Sequence, residues 1–101
     1  MHVNQSIDVG ATGVNITTSG TSSDETIPNN AAGELPKYCL ITATAACYVR
    51  WGVGAQTAVT TDMLVPANVP LAIKTHGADT IAAIQVSSGG TLNVTPLEWS
   101  R

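Results

Sequence analysis

The side chains best equipped for chemistry are His76 and Asp79 in the segment 75–79 (THGAD), followed by Ser87 and Ser88. A nucleophilic triad needs a hydroxyl, an imidazole to take its proton and a carboxylate to orient that imidazole. The same five residues also spell a polar β-turn, with Gly77 supplying an unusual φ and Asp79 capping it, and the turn is the reading favoured. Cys39 and Cys47, eight residues apart, and the distant pair His2 and His76 match no zinc spacing. The acids form no calcium loop. The glycines at 10–13 (GATG) and 52–54 (GVG) lack the strand-then-helix setting of a phosphate loop. No base–nucleophile or metal set survives, so the chain reads as a non-enzyme without a cofactor.

Two further sets of residues invite a ligand. Asn4, Asn15 and Asn93 each head an N-glycosylation triplet, read here as chance matches in a Thr-rich chain. Tyr38, Tyr48 and Trp51 could stack on a sugar, although Trp51 shares strand parity with Cys47 and Val49 and reads better as a core anchor. Trp99, beside Glu98 and Arg101, has little local core to enter and suits an anchor in a neighbour's pocket.

The elements that must position these residues are short strands. Runs rich in Val, Ile and Thr occupy 14–17, 37–42, 47–52, 64–65, 69–75, 80–87 and 91–97, with Gly, Pro, Asn, Asp or Ser between them. No window shows a helical period. Residues 6–9 (SIDV) are a further strand candidate, joined to 14–17 through the GATG turn. Residues 18–33 (TSGTSSDETIPNNAAG) read as a long polar loop, either an arm that orders against a neighbour or a surface loop. The Ser88-Gly89-Gly90 triplet predicts a hairpin between its flanking strands. A hairpin is also expected between 37–42 and 47–52. It would hold Cys39 and Cys47 about 10 Å apart along the strands, too far for a disulfide, so both are expected as reduced, buried hydrophobes. The fold expected is all-β: a single-domain β-sandwich or jelly-roll-like barrel of short antiparallel strands. Residues 1–36 form its N-terminal arm with short strands and the polar loop, and residues 37–101 its main sandwich.

Bulk composition narrows the role. The chain has 101 residues, no Phe and only four aromatics, so Ala, Val, Ile, Leu and Thr must fill a light core. Small side chains bury less apolar area each, which favours completion of stability by association. Only 11% of residues are charged. That suits a surface covered in its working state, or one on which Thr, Ser and Asn replace charge. The four basic residues, Lys37, Arg50, Lys74 and Arg101, are scattered in sequence, which argues against nucleic acid. The polar opening residues and the lack of a long apolar run predict a cytoplasmic origin with no membrane partner.

Four segments together resemble a known group: 45–54 (AACYVRWGVG), 58–66 (AVTTDMLVP), 80–87 (TIAAIQVS) and 89–96 (GGTLNVTP). They are similar to the "xAYVRxG", "TxxDxxxPA", "HIAAI" and "GTLxVTP" patterns of small tailed-bacteriophage virion proteins, and 6–9 matches an opening "xxIDV" strand. The likeness spans about 60 residues, and the acid-bearing stretch 18–33 departs from it. The resemblance implies a head decoration (cement) protein: a β-sandwich that trimerises on the outer capsid surface and clamps major capsid subunits. It carries no active site. Expected contacts are Ile7 and Val9 of the N-terminal arm, Asp24 and Glu25 of the polar stretch, and Trp99 and Arg101 at the C-terminus. A tail, neck or fibre component and a small carbohydrate-binding module are the competing readings.

Overall fold

The apolar residues of this chain recur at every second position within runs of three to six residues, and such a run buries one face only as part of a sheet. A computed structural model, which describes residues 8–98, arranges these runs as eight antiparallel strands in two four-stranded sheets with no helix. The strands are β1 (Val14–Thr17), β2 (Ser23–Thr26), β3 (Tyr38–Ala43), β4 (Cys47–Gly52), β5 (Met63–Val65), β6 (Leu71–Lys74), β7 (Thr80–Gln85) and β8 (Thr91–Pro96).

One sheet runs β1-β8-β3-β6 and the other β2-β7-β4-β5. The pairs β1·β8, β2·β7, β3·β6 and β4·β5 are those of one long antiparallel ribbon folded at the β4–β5 connection. Rolling that ribbon adds β3·β8 and β4·β7. This is jelly-roll order, and it confirms the all-β sandwich expected. It also corrects both hairpins. β3 and β4 lie in different sheets, as do β7 and β8, so the turns at 44–46 and 86–90 carry the chain across the sandwich. Gly90 sits at such a crossing because a Cβ there would stand 2.6 Å from the Thr44 hydroxyl.

The core follows from register. In the first sheet the inward rows are Ile16–Leu92–Ala43, Val14–Val94–Ile41–Leu71 and Pro96–Cys39–Ile73. Opposite them lie the rows Ala83–Val49, Ile81–Trp51 and Gln85–Cys47–Val65. Ile41, Cys39, Cys47, Ile81, Leu92 and Val94 are fully buried. Both cysteines are free, as expected, and burial raises both thiols, Cys39 to about 11. Trp51 packs against the core as expected, and its Nε1–H donates to the Lys74 carbonyl at 3.2 Å, tying β4 to β6 across the sandwich.

The stretch 18–33 is not simply a loop. Ser23–Thr26 pairs with β7 as an edge strand, although all four of its residues are exposed. Ile27 just after it is buried and donates its N–H to the Asp79 carbonyl. The strand candidate at 6–9 falls partly outside the described residues, and Asp8 and Val9 are not in a strand.

Candidate functional site

The outward face of the β2-β7-β4-β5 sheet divides into two halves. On one half, Asp24, Ala82 and Arg50 form a cross-strand row, and on the other Ile84, Tyr48 and Leu64 form the next. Ala82 points outward by this register and yet is fully buried. The cover is the β4–β5 loop, residues 53–62, which is drawn back over the sheet by polar ties. Gln56 N–H donates to the Asp24 carboxylate at 3.1 Å and Ala58 N–H to Ser22 Oγ at 2.8 Å, while Gly54 N–H donates to Asp79 Oδ1 at 3.0 Å. Arg50 closes the set, donating through Nε and Nη2 to Asp62 Oδ1, whose Oδ2 accepts the Val59 N–H at 2.8 Å. Ala58 is thereby buried outside the main core cluster.

These hydrogen bonds set the electrostatics of the loop. The Val59 N–H above all, helped by the Arg50 side chain, holds Asp62 below the usual carboxylate range against the opposing effect of burial. The Gly54 N–H and the Thr80 hydroxyl do the same for Asp79. The Asp79 carboxylate thus ties the segment before β7 to the earlier β4–β5 loop, a role the sequence did not suggest.

The other half of the face is bare. Leu64 is 50% exposed and Val86, of the same parity as Ile84, is 42% exposed, with Tyr48 and Ile84 half-buried between them. This exposed apolar row carries no charge, so it suits contact with another protein surface. The opposite face, on the first sheet, is polar but uncharged along Asn15, Asn93, Thr42 and Thr95. There Asn93 Nδ2 donates to Asn15 Oδ1 at 2.9 Å and Thr95 Oγ1 to Asn93 Oδ1 at 2.7 Å.

The triad set is not brought together. His76 and Asp79 precede β7 and Ser87 and Ser88 follow it, so the six-residue strand holds the two groups about 20 Å apart. His76 and Gly77 both have positive φ, 54° and 80°, and the Ala78 N–H donates to the Thr75 carbonyl at 3.0 Å, the arrangement of a type I′ turn. Nor do the aromatics share a platform: Tyr48 points outward on one sheet, Trp51 inward on the same sheet, and Tyr38 outward on the other.

Of the expected contact residues, Val9 is 50% exposed. Asp24 and Glu25 are exposed on edge strand β2, with Asp24 engaged by the Gln56 amide. Ile7, Trp99 and Arg101 lie outside the described residues. Sequence reasoning missed the apolar row, whose residues come from three strands. It also missed a hollow of about 490 Å³ lined by Leu35, Pro36, Lys37, Tyr38, Lys74, His76 and Gly77, which gathers two of the four Lys and Arg residues. Lys74 stands directly across from Tyr38 in the β3·β6 register, a proximity that only the pairing reveals. Among the described residues no group of three or more His, Cys, Asp or Glu side chains is placed to hold a metal ion. The chain matches no family model, and no curated protein or solved structure matches it.

Proposed function

We propose that this domain is a structural virion protein of a tailed phage, without catalytic activity, binding as a homotrimeric decoration protein where major capsid subunits meet on the outer capsid surface. The observation that carries the reading is the bare row Ile84–Tyr48–Leu64 with Val86, an uncharged apolar strip on a domain with only 11% charged residues. Covering such a strip adds buried apolar area at about 25 cal/mol per Å². A capsid clamped at its subunit junctions must then lose that area before it can come apart. The sequence resemblance supports the same reading. Two of its motifs meet in the fold, Arg50 of the "xAYVRxG" segment pairing with Asp62 of the "TxxDxxxPA" segment at 3.0 Å, as expected of motifs that serve structure.

The test is co-sedimentation of the purified chain with expanded capsids of the cognate phage. Wild type should pellet at a stoichiometry comparable to the capsid subunits and raise the temperature at which the capsids disrupt. Leu64→Asp should abolish both while leaving the domain folded, because Leu64 is half exposed. Equal binding by wild type and Leu64→Asp, or none by wild type, would overturn the assignment.

A further inference from the structure

Four short connections cross between the sheets at one end of the sandwich: 18–22 after β1, 44–46 after β3, 66–70 after β5 and 86–90 after β7. The antiparallel registers gather them there, setting Thr17 beside Thr91, Ala43 beside Leu92, Cys47 beside Val65 and Ser23 beside Ala83. Hydrogen bonds then tie the connections to one another. Thr18 donates its N–H to the Gly90 carbonyl at 2.9 Å, and its hydroxyl accepts the Gly90 N–H at 2.8 Å. Thr44 donates its N–H to the Thr91 carbonyl, and its hydroxyl accepts the Thr91 N–H, both at 2.9 Å. Asn68 N–H donates to the Ala43 carbonyl at 2.7 Å. This end of the molecule is therefore held in one shape.

The four connections read TSGTS, TAA, PANVP and VSSGG. None of these residues is charged and none has a long flexible side chain, yet most are exposed, Val69 and Val86 each to 42%. The described charges lie elsewhere. Asp8, Glu34, Lys37, Asp62, Asp79 and Glu98 belong to the segments at the opposite end, and Asp24, Glu25, Arg50 and Lys74 to strands. Free protein surfaces ordinarily carry interspersed charge, which keeps copies apart. This end lacks that protection. Contact through it would also order few rotamers, since Gly, Ala and Pro have none to lose and Ser, Thr and Val have few.

We propose that this uncharged end is the surface through which copies of the chain associate, the four connections of each copy meeting around a common axis. The charge distribution selects a second copy as the occupant. Each chain carries a net charge of −3, and contact at this end turns the charged ends outward, far beyond the roughly 8 Å over which charges act in physiological salt. A foreign partner is selected by complementary charge, and this end has none to offer. The area is adequate: with extents of 38 × 32 × 21 Å, any end of the molecule spans at least roughly 670 Å², near the 800 Å² or so that each partner gives to a standard interface. The number of copies, three, rests on the homotrimer reading above, whereas the choice of surface does not.

The experiment is sedimentation velocity of the purified chain from about 10 μM to 1 mM, with no capsid present, so its outcome is independent of docking. Wild type should sediment as an oligomer that dissociates on dilution. Val69→Asp and Ser88→Asp, made separately, each set like charges against one another at the axis and should weaken association at least about a hundredfold. Both positions are exposed, so far-UV circular dichroism of each variant should match wild type. Val53→Asp adds the same charge to the loop at the opposite end, where Val53 is 75% exposed, and should leave association unchanged. A wild-type dimer broken by the two end variants would support this surface and overturn the trimer of the proposed function. A wild type that stays monomeric at 1 mM, or equal weakening by Val53→Asp, would overturn the inference.

Discussion

Ala82 offers the sharpest test of how the outer sheet is built. By strand parity it belongs with Arg50 and Asp24 on the solvent side of β7, where a larger side chain should be harmless. Its accessibility is nevertheless zero, because the loop 53–62 lies over it. Ala82→Leu forces three extra carbons beneath a loop held by Asp24, Ser22 and Asp79. Overpacking of this kind costs about 1–3 kcal/mol. For a chain of this size that corresponds to a fall of roughly 5–20 °C in Tm. Ala72→Leu is the control: Ala72 is on the outward face of β6 and exposed, so its change should stay within about 0.5 kcal/mol. Thermal unfolding followed by circular dichroism reads both variants. Hydrogen exchange at the Gln56 and Ala58 amides adds a local reading, because a lifted loop frees those two N–H groups. If Ala82→Leu melts no lower than Ala72→Leu and both amides keep their protection, the loop does not cover the sheet and the reasoning fails.

Three other outcomes follow from the same geometry. Asp62 and Asp79 have folded-state values below the ordinary 3.8, so their contribution is complete above that value and is lost as pH falls through the folded values; Asp62→Asn with Asp79→Asn should lower Tm at neutral pH and flatten its decline below pH 3.8, and an unchanged acid limb would refute the role of these carboxylates. Burial of Cys39 and Cys47 predicts no thiol labelling of the folded chain at pH 8, two equivalents in denaturant, and a Tm indifferent to reductant, whereas rapid labelling of native protein would contradict the packing. Trp51→Phe keeps a ring in the core but loses the bond to the Lys74 carbonyl, so the denaturant midpoint should fall by the equivalent of about 1–2 kcal/mol, and no change would show that this tie between sheets is idle.

What could be read from the residues was local. β1 falls on the Val-Asn-Ile-Thr alternation and β4 where Cys47, Val49 and Trp51 alternate with Tyr48 and Arg50, so the inward set of β4 is plain from parity alone. β2 was hidden because Ser-Asp-Glu-Thr has no apolar alternation; it is a strand only because β7 offers it a ladder. The two hairpins were misjudged for a related reason. A Ser-Gly-Gly turn reports that the chain reverses, not which sheet receives the next strand, and in this topology only β4 and β5 are neighbours in both sequence and sheet. The apolar row and the hollow beside β6 were illegible on the same ground, since Leu64, Tyr48 and Ile84, like Tyr38 and Lys74, come together only through pairings between distant segments.

The proposed role turns on abundance in the particle. Quantitative mass spectrometry of purified virions would give the copies of this chain per major capsid subunit. A decoration protein is expected in hundreds of copies, near parity with that subunit. A dozen or fewer copies would place the domain in the neck or tail instead, and its absence from the particle would contradict the structural reading altogether.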